Sequence, residues 1–314
     1  MSLAVQVFIF AVGVGLVTKG ADWFVDSAVW LARVARIPRV LVGATIVSLA
    51  TTLPETAVSL YASYSGRPDT AVGNAVGSVI FNTCVVLSTA LLIRPVRIER
   101  RSLLPKAGFM VLAGAVAYLM MKGGSIGPAS GVGLLGLLVL YIIYSIWSGR
   151  AEAEAAATTA VAVTEGTWRQ LAGFAGGAAM VFVGGRALVT SGVAIARAVG
   201  VPEVAIALTL IAVGTSLPEL ATSVAALLKG FQDLSVGNVM GANFLNMTLV
   251  LGGAAVINPL PAARQILVVS LPVMLIVMSL TVVFGLTRPS FERGHGLLLV
   301  AVYVVYLALT FSGG

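Results

Sequence analysis

Charge is what this chain has least of. Only 10% of its 314 residues are Asp, Glu, Lys or Arg, 59% are hydrophobic, and the mean hydropathy is +1.04. A water-soluble domain of that length needs far more charge to cover its surface, so a polytopic membrane protein is expected. One cysteine, Cys84, excludes an internal disulfide; it lies in an apolar run and reads as a packing residue. The one histidine, His295, sits beside Arg293 near a span end and reads as a surface group. No Gly-rich phosphate loop with a lysine occurs, and no soluble stretch is long enough to hold one, which excludes an ATP-driven pump. No basic leader with a small-residue cleavage site precedes the first apolar run, so no removable signal peptide is expected.

What is present is apolar sequence in long blocks. At about 20 apolar residues per span, ten helices are expected, near 3–32, 39–65, 70–94, 103–121, 127–148, 167–198, 203–229, 234–258, 264–286 and 294–311. The stretch from Ser148 to Thr167, rich in Ala, Glu and Thr, reads as a loop joining residues 1–147 to residues 167–314. Basic residues orient the chain. With the N-terminus outside, thirteen fall on inner loops or their flanks: Arg33, Arg36, Arg39, Arg94, Arg97, Arg100, Arg101, Lys106, Arg150, Arg169, Lys229, Arg288 and Arg293. Only four, Arg67, Lys122, Arg197 and Arg264, fall outside. Both termini are therefore expected to face outward. The formal charge of +7 serves topology and lipid contact; no basic cluster is interleaved with exposed aromatics, so no nucleic-acid partner is expected.

The chain repeats itself at an offset of 164 residues. Ala50-Thr51-Thr52-Leu53-Pro54-Glu55 returns as Gly214-Thr215-Ser216-Leu217-Pro218-Glu219, Gly73-Asn74 as Gly237-Asn238, Gly77 as Gly241 and Asn82 as Asn246. Five spans per half is an odd number, so the second copy inserts upside down relative to the first. An all-α membrane protein of two inverted five-helix repeats is expected. Such repeats, with polar interrupted helices in corresponding places, are the layout of a transporter whose site lies near the bilayer midplane.

The motif residues suit a cation. Each copy puts a proline and a carboxylate inside an apolar run, where hydrocarbon would exclude both. In the second span Ser48, Thr52 and Glu55 follow i, i+4, i+7, with Thr51 stacked over Glu55, so one helix face is expected to present them together. Pro54 has no N–H for the carbonyl of Ala50, and Pro218 none for that of Gly214. Ser78 and Asn82 share a face of the third span; Asn246 holds the matching place in the eighth, with Ala242 where Ser78 predicts a hydroxyl. Carboxylates, amides, hydroxyls and loosened carbonyls are hard oxygen donors, and no Cys, Met or His joins them. They suit Ca²⁺, with its about 6–8 oxygens, and Na⁺, but not Zn²⁺ or copper. A bare acidic side chain at the bilayer centre costs at least about 2.5 kcal/mol, so a departing Ca²⁺ must be replaced by other charge, which is the physical basis of exchange. Asp22 and Asp26 have no acidic counterpart in the second half and read as ion-paired or solvated at a helix end.

These blocks, Gly43 through Asn82 and Ala207 through Asn246, resemble the two alpha-repeats of the sodium/calcium exchanger family, within the cation/Ca²⁺ antiporter superfamily. The resemblance implies that Glu55 and Glu219 bind Ca²⁺ centrally. It implies that Thr51, Thr52, Ser78, Thr215 and Ser216, with backbone carbonyls near Ser48 and Ala212, line flanking Na⁺ sites. It also implies that the first and sixth helices slide across the other eight. Three positions depart from the family pattern: Asn246 where many members carry aspartate, Ala242 in place of a hydroxyl, and Ala50 in place of glycine.

The expected function is Na⁺-driven Ca²⁺ exchange across a prokaryotic inner membrane, in a minimal form without a regulatory domain. The alternatives are a Ca²⁺/H⁺ antiporter on the same glutamates, a cation channel, or a membrane scaffold. No enzymatic activity, resident cofactor or obligatory protein partner is expected.

Overall fold

The computed structural model describes residues 2–35, 37–97, 99–155, 166–200 and 212–312. These form a helical membrane protein. Its helices are α1 (Leu3–Ala35), α2 (Arg39–Thr51), α3 (Leu53–Tyr64), α4 (Pro68–Ile93), α5 (Arg100–Lys122) and α6 (Pro128–Ala155). They continue with α7 (Thr167–Ala198), α8 (Ala212–Thr215), α9 (Leu217–Leu228), α10 (Gln232–Ile257), α11 (Ile266–Thr287) and α12 (Arg293–Ser312). Among the described residues eight helices are long and apolar enough to span a membrane, and the bent pair α2–α3 makes a ninth. The expected span at 203–229 is described only from Ala212 on, as α8 and α9; its first part lies outside the described residues.

Helix α6 runs through Ser148 to Ala155, into the stretch read as a loop. Ala-Glu alternation there favours helix over coil. The rest of that stretch, 156–165, lies outside the described residues.

Two short antiparallel ribbons tie the halves together. Strand β1 (Val96–Arg97) pairs with β4 (Ser290–Phe291), and β2 (Ser125–Ile126) with β3 (Leu260–Pro261). Each joins a loop of the first half to a loop of the second. The 164-residue offset carries α3 onto α9, Pro68–Phe81 onto Gln232–Leu245, and β1 onto β3.

Helices α4 and α10 are the buried centre, with 72% and 78% of their apolar windows inside the protein, whereas α1 and α7 bury only 17% and 22%. The two outer helices pack against each other through glycine. A Cβ at Gly13 would stand 3.0 Å from the Gly184 carbonyl oxygen, and one at Gly20 only 2.8 Å from that of Gly177. Backbones in contact leave no room for side chains, the packing that apolar helices use where lipid supplies no hydrophobic drive.

Charged groups sit as their burial allows. Lys229 Nζ lies 2.8 Å from Asp26 Oδ1 and 3.4 Å from Asp22 Oδ1, so both aspartates of α1 are ion-paired. Arg39 pairs with Asp233 at 3.0 Å. Lys106, counted above among flank charges, is instead buried, and its ammonium turns back on the Ser102 carbonyl at 2.6 Å. A long apolar stem lets it reach that polar end of α5. His295, read as a surface group, is half-buried: it stacks on Phe284 with 4.2 Å between centroids, and its Nδ1 accepts the Glu292 N–H. Cys84 is buried and free, as expected of a packing residue.

The glycine crossing makes a direct prediction. Gly20→Leu drives a side chain into the α7 backbone and should cost about 1–3 kcal/mol. Gly15→Leu, on the open face of the same helix, should cost nothing. Denaturant unfolding in detergent measures both.

Candidate functional site

The site begins with two broken helices. Pro54 lies in the first turn of α3 and Pro218 in that of α9, so the helix before each cannot continue its ladder. The chain breaks at Thr52 (φ −82°, ψ −3°) and at Ser216 (φ −94°, ψ 9°), and α2 meets α3 at 46°. The Thr52 hydroxyl crosses to the other half and donates to Glu219 Oε1 at 3.1 Å. Ser216 makes the matching crossing, donating to Glu55 Oε1 at 3.0 Å. Ser78 lies 3.2 Å from the Ser216 oxygen and extends the chain of hydroxyls at Glu55.

A second pair of crossings braces the first. Thr51 Oγ1 donates to Asn238 Oδ1 at 3.3 Å and Thr215 Oγ1 to Asn74 Oδ1 at 3.2 Å. The amide nitrogens are held in turn: Asn74 Nδ2 donates to Ser59 at 2.9 Å, and Asn238 Nδ2 to Ser223 and Thr222 at 3.1 Å each. Every amide therefore clips a broken helix of the opposite half to the helix beside its own. Sequence reasoning noted the repeated Gly-Asn pairs only as repeat landmarks and missed this role; the signal was a polar amide recurring inside two apolar spans.

Asn82 and Asn246 each open a segment of wide π-helical turns, Asn82–Leu87 and Asn246–Val250. Such bulges mark functional positions in helices because they disturb the regular carbonyl ladder. Asn246 Nδ2 donates to the Ala242 carbonyl at 3.0 Å, while its Oδ1 has no partner. Ser48 does not join the carboxylates. Its hydroxyl turns to the Thr45 carbonyl, 3.1 Å away, and occupies the space beside Gly241. Ala212 opens α8, while its own side chain and the residues before it lie outside the described residues.

Glu55, Glu219, Asn82, Asn246, Thr52 and Ser216 are all fully buried. Glu55 Oε2, Glu219 Oε2, Asn82 Oδ1 and Asn246 Oδ1 have no hydrogen-bond partner. Neither glutamate forms an ion pair among the described residues. Four buried, unpartnered oxygens in symmetry-matched places, with Asn82 Nδ2 unpartnered beside them, make this the candidate cation site, since a buried acceptor without a donor is costly. Only two carboxylates take part: no group of three or more His, Cys, Asp or Glu exists among the described residues. Any further ligands to a cation here would come from hydroxyls, amides and carbonyls, a hard-oxygen set.

Fold and sequence together define a helical membrane transporter of the cation-exchanger class. Residues 5–147 and 169–312 match the sodium/calcium exchanger protein family, and the chain belongs to that family. It is 35% identical to the inner membrane protein YrbG of Escherichia coli (strain K12), over 96% of this chain and 95% of that one. To the sodium/calcium exchanger MaX1 of Methanosarcina acetivorans it is 27% identical, over 98% of this chain and 99% of that one. Its structure superposes on the sodium-calcium exchanger NCX_Mj, soaked with 10 mM Na⁺ and 10 mM Sr²⁺, with a TM-score of 0.87 at 29% identity; the match covers 98% of this chain and 99% of that one.

The asparagine braces are testable apart from ions. Asn238→Leu removes the amide bonded to Thr51, Thr222 and Ser223 and should destabilise the fold by about 1–3 kcal/mol, as should Asn74→Leu. Combining Asn238→Leu with Thr51→Val should cost less than the sum of the two single changes, in the same unfolding assay.

Proposed function

We propose that the protein exchanges Ca²⁺ for Na⁺ across the membrane by alternating access. The observation that carries this reading is the pair of buried, unpartnered carboxylate oxygens, Glu55 Oε2 and Glu219 Oε2. In this reading both glutamates hold one Ca²⁺ between them. Asn82 and Asn246 supply amide oxygens. Thr51, Thr52, Ser78, Thr215 and Ser216, with backbone carbonyls near Ser48 and Ala212, line the flanking Na⁺ positions. The chain makes ten spans in two inverted repeats and lies in a prokaryotic inner membrane with both termini outside.

The energetics dictate antiport. Two buried carboxylates neutralise one divalent ion; when it leaves, the same charges stand in a medium that cannot solvate them. The bare site cannot reorient across the membrane at useful rates, because the penalty in hydrocarbon is at least about 2.5 kcal/mol per acid. Na⁺ entering beside the hydroxyls removes that penalty and so returns the transporter. The outer pair α1–α7, bound to itself through glycine and little buried, is the part that moves against the core.

Proteoliposomes loaded with Na⁺ and diluted into Na⁺-free medium should take up Ca²⁺. Glu55→Gln or Glu219→Gln should lower that uptake at least a hundredfold. No uptake by the unaltered protein, or unchanged uptake by either variant, contradicts the proposal. Uptake driven by a pH gradient with no Na⁺ present assigns protons as the coupling ion instead.

A further inference from the structure

Beside the ion site lies an apolar cavity that touches it only through the back of Thr51. It has a volume of about 370 Å³ and lies where the outer helix pair meets the two broken helices. Phe24 of α1 and four residues of α7, Val181 and Phe182 among them, form one wall; Ala50, Thr51, Leu53, Pro54 and Ala57, with Pro218 and Thr222, form the other. It backs directly onto both prolines.

Three observations say what fills it. Leu53 and Phe182 at its rim are 56% and 45% exposed, and each lies midway along its membrane-crossing segment, so the mouth opens to lipid hydrocarbon and not to water. The floor offers water nothing. Its hydroxyls are already spent: Thr51 Oγ1 lies 3.2 Å from the Ser48 carbonyl and 3.3 Å from Asn238 Oδ1, and Thr222 Oγ1 donates to the Pro218 carbonyl at 2.7 Å. A site without free polar groups stays dry, and an apolar cavity of about 150 Å³ already suffices to bind benzene. This one is more than twice that size. We propose that it holds the acyl chain of a bilayer phospholipid, which enters between α3 and α7 and reaches Phe24. A methylene moved from bilayer into such a cavity loses no apolar environment and gains close contacts, so occupancy needs no polar anchor. The chain would then fill the joint between the outer pair and the core, against the hinge of each broken helix.

Contact quenching tests this without measuring transport. The four native tryptophans are replaced by Phe, and a single Trp is placed at Phe24, which is 1% exposed. The protein is reconstituted into phosphatidylcholine with bromines at mid-chain. Phe24→Trp should lose at least half its fluorescence relative to unbrominated lipid. Phe244→Trp, equally buried but in the core away from the cavity, should stay unchanged. Val181→Trp, on the opposite wall, replaces the first reporter if Phe24→Trp does not fold. Equal behaviour of cavity and core reporters overturns the proposal, since the cavity is then empty. Quenching by aqueous acrylamide and not by brominated lipid overturns it in favour of water. Quenching only after adding brominated free fatty acid to unbrominated vesicles overturns it in favour of a different occupant.

Discussion

The structure depends on two hydrogen bonds that cross between halves, Thr52 to Glu219 and Ser216 to Glu55. Each carboxylate is given one donor from the opposite half and left with one bare oxygen. A second donor would satisfy the acid as a structural element; no donor would leave it too costly to bury. One donor orients the group and keeps the other oxygen available for a positive charge. Because each donor belongs to the other repeat, neither half makes a finished site alone.

The local irregularities serve that arrangement. Pro54 and Pro218 break their helices where the hydroxyl crosses to the other half, and the π turns beginning at Asn82 and Asn246 loosen the carbonyl ladder at the facing helices. Asn74 and Asn238 then hold the broken ends in place. Irregular backbone is tolerated at membrane depth only where protein or a polar site satisfies it. The buried helices α4 and α10 supply that surround, while the glycine-packed α1 and α7 remain outside it.

Much of this was legible in the sequence, and its limits have physical causes. Rare polar residues inside apolar spans show up strongly against their background, so Glu55, Glu219, Asn82 and Asn246 stood out, and the 164-residue offset paired them. Helical periodicity could not show that the Thr52 hydroxyl reaches Glu219 of the other half, because counting along one helix says nothing of a partner 167 residues away. Asn74 and Asn238 were visible but not assignable, since their partners are distant in the chain. Ser48 has the right chemistry and spacing, yet its hydroxyl bonds the Thr45 carbonyl of its own helix, close beside Gly241. Lys106 looked like a flank charge because sequence cannot show that its stem is buried.

The central claim is that one divalent cation sits between Glu55 and Glu219. Anomalous scattering from crystals grown in Sr²⁺ addresses it directly. The account predicts a single strong peak within coordination distance of both Oε2 atoms, absent from Glu219→Gln crystals. A peak bound to one glutamate alone, or none between them while the protein still transports Ca²⁺, would contradict it.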